Sequence, residues 1–152
     1  MTCKMINNQE QTAEIAKKLA ELVKGGDVIC LSGDLGAGKT TFTQAFAKGL
    51  NIEEPVTSPT FTILHEYHEG RIPLYHFDVY RIKHPMEMED LGYEEYFFGN
   101  GVCVIEWATL IEEILPSDFL WIDLTVEGPQ ERKLCLKSTN EYYEKIVEEL
   151  LK

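Results

Sequence analysis

The chain has 152 residues, 44% of them hydrophobic, and a net charge of −12 at pH 7. That length fits one domain with a core of its own, residues 1–152. The acidic balance argues against broad binding to a nucleic-acid backbone, which needs Lys and Arg to displace counterions; only 14 such residues are present, three of them Arg.

Residues 1–8 have no long apolar core and no cleavage-site pattern, so no signal peptide is expected. Residues 8–24 place Ile15, Leu19, Leu22 and Val23 on one helix face, and Gly25-Gly26 ends the pattern. Residues 27–31 read as a buried strand, 33–40 as a glycine-rich loop, and 41–48 as a helix closed by Gly49. A polar connection, 51–59, leads to two strands at 60–67 and 74–80. Glu69-Gly70 and Pro73 lie between them and predict an antiparallel hairpin. Residues 85–98 are acidic and helical in pattern, weak at Gly92 and stopped by Gly99-Asn100-Gly101. The apolar run 102–105 predicts a strand covered on both faces. A short helix at 108–115 stops at Pro116; strands follow at 120–126 and 134–136, and an amphipathic helix at 141–151. No apolar run approaches the length of a membrane span. The elements predict an α/β domain with a mixed sheet between helices.

Cys3, Cys30, Cys103 and Cys135 form no C-x-x-C pair and have no metal-ligand spacing. Cys30 and Cys103 fall in apolar runs, where a thiol behaves as a small buried hydrophobe. That usage suits a reducing cytoplasm.

The chemistry concentrates in Gly33-Asp34-Leu35-Gly36-Ala37-Gly38-Lys39-Thr40, a complete G-x-x-x-x-G-K-[ST] phosphate-binding loop between a strand and a helix. Its glycines let backbone N–H groups converge on a phosphate, and the helix N-terminus adds positive dipole. In such loops the lysine, here Lys39, reaches the β- and γ-phosphates and the hydroxyl, here Thr40, ligates Mg²⁺. The chain is therefore expected to bind a nucleoside triphosphate. A second magnesium anchor is expected at the C-terminal end of a buried strand, where Glu106 follows 102–105. Asp78 interrupts an aromatic strand, and alternation puts His76, Asp78 and Tyr80 on one face. A carboxylate there can orient an attacking water; a structural Asp bonded to Tyr80 or Arg81 reads the same way. Thr60, in Ser58-Pro59-Thr60-Phe61, occupies the interval where switch proteins sense the γ-phosphate, and a plain turn is equally consistent. His65 and His68 are read as solvent-facing, since no third metal ligand is in view.

With those residues in place, the chain resembles the TsaE family, also called YjeE, the small ATPases of bacterial tRNA threonylcarbamoyladenosine synthesis. The resemblance rests on the loop followed by Thr41-Phe42, on Ser58-Pro59-Thr60-Phe61-Thr62, and on Tyr75-His76-Phe77-Asp78-Val79-Tyr80-Arg81. Leu91-Gly92-Tyr93, Tyr96-Phe97 and Val104-Ile105-Glu106-Trp107 continue it over essentially the whole chain. It implies a P-loop NTPase-type three-layer domain with a mixed, mostly parallel sheet and an antiparallel hairpin insertion. It implies ATP and Mg²⁺ as ligands, with Thr40 and Glu106 matching the metal ligands. Gly33, Gly36, Ala37, Gly38, Lys39, Thr40 and Thr41 match the phosphate contacts. Asp78 matches a residue needed for hydrolysis, with Lys39 and Thr60 beside it as catalytic candidates. Trp107 matches a tryptophan next to the nucleotide, and Gln9, Thr12 and Arg132 fall where the family closes over it. TsaB-like and TsaD-like proteins are the implied partners, reaching tRNA only through their complex; no membrane is implied, and the place is the cytoplasm.

Three arginines leave little from which to build the lid of a small-molecule kinase. The chain also lacks the N-K-x-D and D-x-x-G runs of guanine-specific switches. A kinase and a non-hydrolytic nucleotide-sensing docking module are the rival readings. No arginine lies in an obvious finger loop, and Arg81, next to the Asp78 strand, is the only near candidate, so slow hydrolysis by the isolated chain and acceleration by partners are expected.

Overall fold

Alternation of apolar side chains along the central strands sets up two cores, one on each face of a single sheet. The computed structural model describes residues 1–34, 36–59 and 62–152. In chain order the elements are β1 (Thr2–Ile6), α1 (Gln9–Leu22), β2 (Val28–Gly33), α2 (Lys39–Gly49), β3 (Leu64–Tyr67) and β4 (Leu74–Asp78). A 3₁₀ segment (Pro85–Leu91), α3 (Tyr93–Phe97), β5 (Val102–Glu106), a second 3₁₀ segment (Ala108–Ile114), β6 (Leu120–Val126), β7 (Arg132–Ser138) and α4 (Glu141–Leu150) complete it. The strand order is β1-β7-β6-β2-β5-β4-β3. The four central strands β6, β2, β5 and β4 pair in parallel, and antiparallel partners close both edges. Strands β1, β6, β2, β5 and β4 thus run one way and only β7 and β3 the other. This is the mixed, mostly parallel α/β sheet expected, with the β3–β4 hairpin at one edge.

Ile29 and Leu31 of β2 and Val102 and Val104 of β5 point into the larger core, shared with α1, α2 and α4. Val28, Cys30, Cys103 and Ile105 point the other way, toward α3 and the 3₁₀ segments. Both strands are buried on both faces, which is why their sequences read as unbroken apolar runs. The parallel centre leaves the carboxyl ends of β2, β4 and β5 at the same end of the sheet. The loop after β2 and the residues ending β4 and β5 meet there.

Several local expectations are corrected. Strand β1 has no counterpart in the sequence reading, because only Ile6 of its five residues is buried and no alternation marks it. Gly49 is the last residue of α2, as expected, and has a packing role that sequence did not give. A Cβ there would lie 2.6 Å from the Ala20 Cβ and 3.0 Å from the Lys17 Cα, so the glycine permits close contact of α1 and α2. The stretch 85–98 splits at Gly92 (φ +69°) into a 3₁₀ segment capped by His84 and the short α3. Residues 108–114 are likewise 3₁₀, with Ile111 off helical geometry. Strand β3 starts at Leu64, four residues later than expected, and Ile63 before it has φ +68°.

The cysteines divide differently from a uniformly reduced set. Cys3 and Cys135 face each other in the β1–β7 register and are joined in a disulfide. Cys30 and Cys103 are buried thiols as expected, and burial pushes Cys30 up to about 12 and Cys103 still higher.

Candidate functional site

The turn from β2 into α2 needs backbone conformations that favour glycine. Gly33, Gly36 and Gly38 have φ of +148°, +81° and +106°. At Gly33 a Cβ would sit 2.5 Å from the Leu124 carbonyl oxygen, so only glycine lets β2 leave the sheet beside β6. Ala37 donates its N–H to the Asp34 carbonyl at 3.0 Å, and Phe42 N–H to Gly38 opens the helix. The N-terminal N–H groups of α2 therefore face the concavity of the loop, as an anion site requires. Lys39, almost fully buried, carries its Nζ 4.4 Å from the centre of the Trp107 ring, a cation–π contact. It forms no ion pair among the described residues. Trp107 holds φ +64°, unusual for a bulky residue, and its ring lies 4.8 Å from that of Tyr80.

Beside the loop lies a cleft of about 530 Å³. Gly36, Ala37, Gly38 and Thr41 line one side; Gln9 and Thr12 from α1 and Arg132 from β7 line the others. The structure thus brings together seven of the residues proposed from sequence around one concavity. Asn8, Glu10, Pro129 and Gln130 complete the lining and were not singled out by sequence, since their side chains carry no motif. Arg132 turns its guanidinium onto the loop itself, donating to the carbonyls of Ala37 (3.2 Å) and Gly36 (3.1 Å).

The two carboxylates sit next to each other at the ends of adjacent strands. Asp78 and Glu106 are paired in the β4–β5 register, on the face of the sheet that carries α2. The Asp78 carboxylate accepts the Tyr80 backbone N–H at 3.0 Å through Oδ1 and the Ser58 hydroxyl at 3.2 Å through Oδ2. The bond to Tyr80 is the structural role that sequence left open. Glu106 is buried, and its Oε2 lies 2.7 Å from His76 Nε2. Sequence did not single out Ser58 or His76 for these contacts; the strand alternation that put His76 on the Asp78 face was the available signal. Thr60 lies outside the described residues. His65 and His68 stay at the hairpin surface, bonded to Thr57 and Glu66, and no metal-binding group of three or more His, Cys, Asp or Glu occurs among the described residues.

A family model described as "Threonylcarbamoyl adenosine biosynthesis protein TsaE" matches residues 6–134, which is most of the chain. The chain belongs to the TsaE family. The TsaE match spans the glycine loop, both carboxylates, Trp107 and Arg132, and leaves α4 outside. A protein of Bacillus subtilis strain 168 named tRNA threonylcarbamoyladenosine biosynthesis protein TsaE is 54% identical, over 94% of this chain and 89% of its own. The Nostoc protein of the same name is 43% identical, over 88% of this chain and 85% of its own. A crystal structure of Bacillus subtilis YdiB superposes with a TM-score of 0.86 at 48% identity, covering 98% of this chain and 93% of that one. The TsaE fold and the glycine loop together mark a nucleotide-binding architecture.

Proposed function

We propose that this chain is a single ATP-binding and ATP-hydrolysing domain, 1–152, that serves the formation of N6-threonylcarbamoyladenosine at position 37 of tRNAs reading A-starting codons. TsaB-like and TsaD-like proteins are its partners, tRNA reaches it only through them, and it works in the cytoplasm. The family membership supports the pathway. The observation that carries the activity is the convergence of the loop, Lys39 and two strand-end carboxylates at one end of the sheet. No helix among the described residues is long and apolar enough to cross a membrane.

The residues fit a magnesium-nucleotide. Backbone N–H groups of Gly36, Gly38, Lys39, Thr40 and Thr41 would hold the phosphates, with Gly33 setting the turn and Ala37, whose own N–H is bound to the Asp34 carbonyl, lining the loop beside them. Thr40, exposed at the start of α2, and Glu106 would hold the ion. When bound, the ion would neutralise charge on the phosphates. Lys39 supplies a second positive charge, and the α2 N–H groups supply fixed dipoles that need no reorganisation. Asp78 accepts a hydrogen bond from, and so orients, the attacking water, with Thr60 sensing the γ-phosphate. Trp107 packs beside the nucleotide, while Gln9, Thr12 and Arg132 close the cleft over it. Arg132, the arginine that lines the cleft, is bound to loop carbonyls and so is not poised as an arginine finger. Turnover is therefore slow in isolation and rises with the partners.

ATP hydrolysis measured with and without TsaB-like and TsaD-like proteins tests this. Turnover that appears or rises with the partners, and is lost in Asp78→Ala and Glu106→Ala, is expected. Equal rates with and without partners would remove partner activation. Full biological function in Asp78→Ala with loss in Lys39→Ala would leave a nucleotide-sensing docking module, in which the Asp78 bonds to Ser58 and Tyr80 serve only to shape the loop.

A further inference from the structure

We infer that His76 is a positioning residue for Glu106, holding that carboxylate in the orientation in which it meets the nucleotide's metal ion. The inference rests on the reading of Glu106 as a metal anchor. His76 is 1% exposed and Glu106 4%. Both side chains lie on the face of the sheet that carries Leu74, Val102 and Val104, within the larger core. His76 Nε2 and Glu106 Oε2 are 2.7 Å apart, while His76 Nδ1 is buried with no hydrogen-bond partner among the described residues. Nε2 therefore carries the proton and donates it to the carboxylate, and the orphaned nitrogen keeps its lone pair. A proton on Nδ1 would strand a donor in the core.

Stability alone gives no reason for a histidine here. An imidazole with one satisfied and one orphaned nitrogen costs desolvation that an apolar side chain of similar volume avoids. What the pair does achieve is to commit one carboxylate oxygen. With Oε2 held, Glu106 loses rotamer freedom, and Oε1 accepts no hydrogen bond among the described residues. The free oxygen belongs to a carboxylate fixed in place before any ligand arrives. Outer-shell partners of metal ligands act in this way, by fixing orientation and raising ligand basicity. His76 lies one pleat back from Asp78 along β4, so it reaches Glu106 diagonally and leaves the strand ends clear.

The test uses the full chain with Mn²⁺ as a spectroscopic probe and a non-hydrolysable ATP analogue, reading bound Mn²⁺ by electron paramagnetic resonance. Analogue affinity without metal is measured in parallel. His76→Leu is expected to weaken Mn²⁺ about tenfold, the low end of what losing an outer-shell partner costs, with metal-free analogue affinity unchanged. His76→Gln, whose amide N–H can take the place of Nε2–H, is expected to retain most of the Mn²⁺ affinity. Unchanged Mn²⁺ binding in His76→Leu, or equal losses with and without metal, would overturn the inference. Should His76→Leu fail to fold, His76→Asn replaces it: its shorter amide falls short of Glu106, so its Mn²⁺ affinity must drop below that of His76→Gln, and equality would overturn the positioning role. Glu106→Gln separates the two readings. If it leaves Mn²⁺ affinity intact, Glu106 is no anchor and the premise fails; if it weakens Mn²⁺ while His76→Leu does not, only the role of His76 fails.

Discussion

Arg132 spends its guanidinium on four carbonyl oxygens, those of Gly36 and Ala37 in the loop and of Gly128 and Glu131 in the turn before β7. A charged fork bound to carbonyls fixes which way those peptides point, and with them the shape of the loop. Arg132→Ala is expected to weaken ATP binding about tenfold, roughly the 1.4 kcal/mol of one charge-assisted hydrogen bond, by isothermal titration calorimetry. Arg132→Lys should recover little, because an ammonium cannot span carbonyls on two segments as a planar fork does. Full affinity in Arg132→Ala would mean that the loop holds its shape unaided.

Between elements, the α1–α2 contact is the one most exposed to a small change. Gly49→Ala adds a methyl group 2.6 Å from the Ala20 Cβ and 3.0 Å from Lys17 backbone atoms. Overpacking of that kind costs ~1–3 kcal/mol, partly offset by the ~1 kcal/mol gained in helix propensity. A net loss on the order of 1 kcal/mol in urea unfolding is expected; a stabilised variant would show that α2 can shift away freely. Helix α4 is anchored to β2 by Val28 N–H donating to the Tyr143 hydroxyl at 3.0 Å. Burial raises Tyr143 from its ordinary 10 to about 12, against the lowering by that bond. The protonated form is thus favoured in the folded state. Its contribution, on the order of 2 kcal/mol, is complete below pH 10 and lost as the pH rises toward 12. Unfolding curves at pH 9 and 11.5 should show wild type losing more stability than Tyr143→Phe; parallel losses would refute the assignment.

At the scale of the molecule, the central strands and the glycine loop were legible because burial on both faces and positive-φ turns leave marks in composition. Strand β1 was not, since an edge strand with one buried residue needs no pattern. Gly49 was legible as the end of α2 but not as a contact point, because sequence does not reveal which helix lies against it. The bonds from Ser58 to Asp78 and from His76 to Glu106 join residues 20 and 30 positions apart, so only the strand pairing brings them together. The same holds for Cys3 and Cys135, 132 positions apart. Thiol titration of the unfolded, unreduced protein should count two free cysteines, Cys30 and Cys103. A bond closing so long a loop contributes ~2–4 kcal/mol, so reductant should lower the unfolding midpoint of wild type and leave Cys3→Ser unmoved. Four free thiols would remove the bond. In a reducing cytoplasm such an edge bond is open to reduction.

The β1–β7 pairing also fixes an order of events during synthesis. A ribosome delivers β1, α1 and the phosphate loop early, and α2 can settle on α1 while most of the sheet is still unmade. Pro129, Gln130 and Arg132, the far wall of the cleft, emerge only with β7. A nascent chain can therefore display its phosphate loop well before it owns a pocket, and the pocket closes only once β7 has been made.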